Sequence, residues 1–379
     1  MNFDWTAEDL DFKNRIAALF DRESLPALEA LERAELPELK ATTGAFLKRL
    51  AETGYLALGL GPAAAAETLH LMAGQEEVAR ISGSLFLAVE TTVRLFGGLL
   101  KGFGEPDRVR DILEPLLRGE IIASVAVSEP AGNEPGISRT LAREDGDSFV
   151  LNGRKSFATN GPIADYLAVT GEVDGLLAVF LVEPQMAGVS VGPRLQTLGY
   201  NGIAVSSLEL TAVRVPRSRV LGPFRDTKAL EWLRQIDNLV LTVASVGLMY
   251  RTLREAKEHA SGHVRDGKAV GKHQEVRFKL AEMLTLAQTA QLLAYRTAWL
   301  HATADAEAAT LIHCAKVFSA EASERVASLA MQIAAGEAYL SGNLVERGYR
   351  DAKYAAIAGT TSELARMAIA QDLLNLYRV

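Results

Sequence analysis

Residues 148–161 read SFVLNGRKSFATNG, a run of β-formers punctuated by Asn-Gly pairs. Similar runs lie on either side: IIASVAVSEP (121–130), DYLAVTGEVDG (165–175), LLAVFLVEP (176–184) and SSLELTAVRVP (206–216). Short β-branched and aromatic stretches, broken by Gly, Pro, Asn and Asp about every ten residues, predict an antiparallel β-sandwich or barrel. Downstream the texture changes abruptly. The chain has 12 prolines, and none follows Pro223. An interior proline costs a helix about 3 kcal/mol, so this proline-free stretch, rich in Ala, Leu, Glu and Arg, reads as long uninterrupted helices. Upstream, Ala7–Phe20, Pro37–Thr53, Leu69–Phe96 and Asp107–Leu117 show helical spacing with Gly and Pro breaks between them. The expected fold is an α+β multidomain protein: an N-terminal helical domain (1–120), a central antiparallel β domain (121–225) and a C-terminal helical bundle (226–379).

The 379 residues are 49% hydrophobic and 23% charged. That is too apolar for disorder and long enough for two or three packed domains. Forty basic against 47 acidic residues leave a net charge of -7, so nucleic acid and anionic membrane surfaces are not expected partners. The acidic opening, with Asp4, Glu8 and Asp9, does not read as a leader. The apolar stretch Tyr55–Ala66 is too short to cross a bilayer and contains Pro62. A single cysteine, Cys314, excludes an internal disulfide and a Cys-rich metal site, and a cytoplasmic location is expected.

Two short motifs are set aside. Gly188-Val189-Ser190-Val191-Gly192 matches the G-x-S-x-G of serine hydrolases, but Pro193 follows and no helix is expected after it. His259 and His263 stand four apart, with His273 beyond, yet no carboxylate is placed as in H-E-x-x-H. No metal is expected.

Val127-Ser128-Glu129-Pro130, then Leu151-Asn152-Gly153-Arg154-Lys155-Ser156-Phe157-Ala158-Thr159-Asn160-Gly161, then Val213-Arg214-Val215-Pro216 and Leu221-Gly222, resemble the acyl-CoA dehydrogenase family. The similarity continues through Gly267, His273-Gln274, Leu280-Ala281-Glu282-Met283, Gln332, Gly336, Val345-Glu346-Arg347 and Arg350-Asp351-Ala352-Lys353. The resemblance implies a four-helix C-terminal bundle and an FAD enzyme that removes a proton from Cα and a hydride from Cβ of an acyl-CoA or acyl-carrier-protein thioester. It also implies an electron-transfer flavoprotein as electron acceptor and a homo-oligomer, a tetramer or dimer. By position, Val127 and Ser128 would meet the flavin ring, Phe157 would lie against it, and Thr159 would approach its N5. Gln332 and Gly336 would reach the adenine side from the partner subunit, and Thr361 the diphosphate.

The sequence departs from the family where its customary base stands: Gly359 occupies the position of that glutamate. A C–H proton still needs a base. Asp237 falls where one branch of the family keeps a glutamate on the first bundle helix, although Arg234, three residues earlier, offers it an ordinary ion pair. Glu90 lies in an otherwise apolar helix resembling the wall of the acyl pocket, with Arg94 four residues on. As base it would direct a vinylogous, 1,4-type dehydrogenation of a cyclic or unsaturated acyl-CoA. Gly359 keeps a backbone N–H that could polarise the thioester carbonyl. A flavin-binding homologue without catalysis is the remaining alternative. The loop Ala131–Pro135 is shorter than the family's glycine-rich stretch, and His263 and Asp266 replace an Arg and a Phe.

Overall fold

The computed structural model describes residues 5–20, 25–61, 65–130 and 138–376; the loop Ala131–Pro135 lies outside them. The chain opens with helices α1 (Ala7–Ala18), α2 (Leu25–Ala30), α3 (Leu36–Glu52), α4 (Thr68–Ile81), α5 (Gly83–Glu90), α6 (Gly98–Phe103) and α7 (Pro106–Leu117). The helical stretch read as Leu69–Phe96 is broken at Ser82, whose extended backbone ends α4 while its hydroxyl accepts from Leu85 N and caps α5. A π-helical turn, Thr91–Gly97, joins α5 to α6. The resulting rod, Gly83–Phe103, is long and apolar enough to cross a membrane, but its most apolar 18-residue window is buried inside the protein.

The central region carries β1 (Ala123–Ala126), β2 (Leu141–Asp145), β3 (Ser148–Thr159), β4 (Tyr166–Val173), β5 (Leu176–Val182), β6 (Val189–Val191), β7 (Val205–Pro216) and β8 (Val220–Phe224). Their order is β6-β7-β3-β2-β4-β5-β8, with β1 also on β4. The sheet is mixed rather than antiparallel throughout, because β4 pairs in parallel with both β1 and β2. Period-two alternation divides its side chains between two cores. On β5, Ala178, Phe180 and Val182 fill the inside of the sheet, whereas Val179 and Leu181 pack against the helices. Val189–Val191 is strand β6, so Ser190 stands on no strand-to-helix elbow.

Helices α8 (Lys228–Gly262), α9 (Gln274–Ala302) and α10 (Ala308–Ala338) pack on one another, a two-stranded ribbon, β9 (Val264–Arg265) and β10 (Lys268–Ala269), linking α8 to α9. Then follow α11 (Leu344–Ala352), α12 (Tyr354–Ile357) and α13 (Ser362–Leu376), the last lying on α10. The 35 residues of α8 run about 52 Å at 1.5 Å per residue, long enough to touch the N-terminal helices and the bundle at once. Contact with α4 depends on Gly247, where a Cβ would stand 2.4 Å from the Ala79 Cβ. Gly247→Val is expected to destabilise the fold by about 1–3 kcal/mol through overpacking, seen as a lower denaturant midpoint at unchanged slope.

Candidate active site

Asp237 points from α8 toward the turn between α12 and α13. A Cβ built on Gly359 in that turn would lie 2.9 Å from the Asp237 Oδ2 and 2.8 Å from the Leu241 Cδ1. Gly359 also has φ +61°, a left-handed conformation that glycine adopts without strain. The carboxylate of Asp237 therefore sits against the position where the resemblance places the customary glutamate. The neighbouring Asn238 fixes the turn: its Nδ2 donates to the Thr360 Oγ1 at 3.1 Å and its Oδ1 accepts from the Thr360 N at 3.2 Å.

Asp237 makes no ion pair with Arg234, and among the described residues no side chain or backbone group donates a hydrogen bond to it. Desolvation raises its pKa to about 6, against the opposing pull of the Lys316 ammonium. Lys316, on α10, is 1% exposed, and its Nζ is buried without a hydrogen-bond partner. Burial lowers this ammonium to about 8, while Asp237 and Glu363 act to keep it charged. Tyr354, on α12, also feels the Asp237 charge; burial foremost pushes its phenol up to about 12, and the Thr159 hydroxyl beside it acts in the opposite sense. Thr159 ends β3, so this tyrosine joins the sheet to the carboxylate.

Phe157 and Thr159 lie two apart on β3 and so share a face. Phe157 is 61% exposed in a strand whose neighbours Lys155 and Ala158 are buried. An exposed ring beside a hydroxyl suits a flat aromatic cofactor such as a flavin. The backbone next to them is held firmly: the Lys155 Nζ donates to the Val127 O at 3.2 Å and the Glu129 Oε1 at 2.7 Å, and the Ser156 N donates to the Ser128 O at 2.8 Å. A cleft of about 230 Å³ opens here, lined by Val127, Lys155, Thr170, Arg225, Thr227 and Arg234 among others.

The other expected residues lie elsewhere. Glu90 is fully buried. Its Oε1 accepts from the Tyr55 Oη at 2.6 Å and its Oε2 from the Gln75 Nε2 at 2.5 Å, while the Arg94 Nε stands 3.6 Å away. Arg94 in turn donates to the carbonyls of Tyr55 and Leu56. The pairing with Arg94 is thus formed, but in the interior, where Tyr55 and Gln75 also hold the carboxylate. Gln332 and Gly336 are exposed on α10. Gln332 is about 24 Å along that helix from Lys316, out of reach of Asp237 in the same chain. Thr361 precedes α13, where its Oγ1 accepts from the Leu364 N at 3.3 Å; the Glu363 carboxyl is held low by its own backbone N–H first and by the Thr361 hydroxyl second.

Tyr354, Asn238, Thr360 and Lys316 are site residues that sequence reading missed. The one available signal was Lys316 itself, a cation inside the apolar run Leu311–Ser319.

The family model described as "Acyl-CoA dehydrogenase, middle domain" matches residues 124–213, and "Acyl-CoA dehydrogenase, C-terminal domain" matches residues 232–374. The chain is 30% identical over 344 residues to a 3-(aryl)acrylate reductase of Clostridium sporogenes, covering 87% of this chain and 90% of that one. It is 30% identical over 313 residues to the caffeyl-CoA reductase-Etf complex subunit CarC of Acetobacterium woodii, with 79% and 81% covered. The butyryl-CoA dehydrogenase from Megasphaera elsdenii superposes with a TM-score of 0.89 at 24% identity, over 99% of this chain and all of that one. With the fold shared end to end and both family models matched in order, this chain belongs to the acyl-CoA dehydrogenase family, a family of flavin-dependent oxidoreductases.

Proposed function

We propose that this protein is an FAD-dependent dehydrogenase of acyl thioesters in which Asp237 is the base. The observation that carries this reading is the Asp237 carboxylate, free of hydrogen bonds among the described residues and partly desolvated, beside the Gly359 position. A carboxylate with a pKa near 6 is ionised at neutrality yet basic enough to accept a proton from a carbon made acidic by its thioester. The Gly359 N–H lies in the same turn and is available to polarise the thioester carbonyl. Bound FAD would supply the acceptor for the hydride leaving Cβ. Phe157, Thr159, Val127 and Ser128 would hold its ring, and Thr361 its diphosphate. Proton removal at Cα and hydride loss at Cβ leave the enoyl thioester, and the reverse reaction needs the same Asp237 to return a proton to Cα.

Exposed Gln332 and Gly336 serve a second copy's cofactor in this reading, so the protein works as a homo-oligomer, a tetramer or dimer. Large exposed side chains on the bundle, among them Phe278, Leu284 and Leu292 on α9, support such contacts. CoA is the proposed carrier, and an electron-transfer flavoprotein the electron acceptor, in keeping with the Etf complex of the caffeyl-CoA reductase subunit.

Anaerobic mixing of the flavoprotein with a panel of acyl-CoAs, followed by bleaching of flavin absorbance, tests the assignment. Asp237→Asn is expected to slow bleaching at least a hundredfold with flavin content unchanged. Glu90→Gln is expected to lower stability, by leaving Arg94 buried opposite a neutral group, while the folded enzyme keeps its rate within a few-fold. Equal slowing in both variants would remove Asp237 from the role.

The rate of flavin reduction should rise with pH through about 6, because only ionised Asp237 accepts a proton, and level off above it. Lys316 favours that ionised form, so Lys316→Met is expected to move the acid limb to higher pH. A limb left in place would show that Lys316 does not act on the base.

A further inference from the structure

We propose that His259, His263 and Glu337 form a binding site for a divalent transition metal, with zinc the best match, distinct from the Asp237 pocket and next to Gly336. His259 and His263 lie one turn apart at the C-terminal end of α8, and Glu337 comes from the last turn of α10. The His259 Nδ1 is 3.3 Å from the Glu337 Oε2 and the His263 Nδ1 3.5 Å from its Oε1. One atom from each residue falls within 4.8 Å of the others.

These separations suit a shared metal. With Zn–N and Zn–O bonds of about 2.0–2.2 Å, two ligands of a tetrahedral ion stand about 3.3–3.6 Å apart, so an ion fits with small side-chain adjustments. Two imidazoles and one carboxylate are a donor set that suits zinc, and the fourth position is left to water. The imidazole rings are stacked at 4.9 Å with planes 13° apart, so one ring has to rotate for both nitrogens to aim at a shared ion. The C-terminal end of α8, at Gly262, lies here and favours a cation, and a kink at Ala335 (φ 50°) in α10 sets the turn that carries Glu337. His259 is half-buried, which limits the rotamer freedom that binding would have to freeze, while His263 and Glu337 are open to incoming metal.

The site does not depend on the reading of Asp237. A metal bridging α8 and α10 would staple two long helices of the bundle, and it would add stability in proportion to the logarithm of its free concentration over Kd.

The test is calorimetric titration of zinc chloride into the chelator-treated flavoprotein, repeated with H259A, H263A and E337Q. One zinc per chain is expected, with affinity at least tenfold weaker in each variant and unchanged in H273A. Zinc should also raise the melting temperature of the parent protein but not of H263A. Binding should weaken on acidification, because protons compete for the imidazole nitrogens. No saturable uptake, or uptake equally strong in H263A and E337Q, would overturn the site. Both substitutions replace exposed side chains, so the variants are expected to fold.

Discussion

The close approach of the turn at Gly359 to α8 sets the Asp237 carboxylate against the backbone of that turn. A Cβ on residue 359 would stand 2.9 Å from the Asp237 Oδ2 and 2.8 Å from the Leu241 Cδ1, so a side chain there would push both aside. The φ of +61° at this position also favours glycine. Asn238 supplies that approach by binding both the amide and the hydroxyl of Thr360.

The position of α8 rests in turn on a buried junction of sheet and bundle. The Arg251 Nη2 on α8 donates to the Asp351 Oδ2 at 3.0 Å, and the Asp351 Oδ1 accepts from the Tyr200 N at 2.6 Å, in the loop that precedes β7. The Tyr200 ring then packs edge-on against Tyr354 at 5.4 Å. Breaking such a buried pair typically costs about 3–5 kcal/mol, because the remaining charge has nowhere to go. Thr159, at the end of β3, and Asp237, on α8, both act on the Tyr354 phenol. Proton removal and hydride loss must occur on adjacent carbons, so β3 and α8 have to be held in fixed relation.

Much of the architecture was legible because it is written in local patterns. Absence of proline after Pro223 predicts α8, α9 and α10, and alternation predicts most of the strands. The parallel pairings of β4 were not legible, since they join segments far apart in sequence and leave no periodic trace. Asp237 was reached only as one of two carboxylates. Glu90 read equally well as a pocket acid, because its own helix is apolar and its true partners, Tyr55 and Gln75, come from other segments. Lys316 and Tyr354 were missed for the same reason: each is unremarkable on its own helix and gains meaning only opposite α8.

Both carboxylates stand near a buried cation, so burial and charge pairing alone do not identify a base. Glu90 has Arg94 nearby and accepts two hydrogen bonds of 2.6 Å or less from neutral donors. Asp237 answers to Lys316 through space only, accepts no hydrogen bond among the described residues, and faces a turn whose glycine presents no side chain. In the proposed reading, a carboxylate held by no hydrogen bond is free to take and return a proton in each turnover. The absence of hydrogen-bond partners among the described residues, more than the presence of an acid, is what distinguishes Asp237 from Glu90.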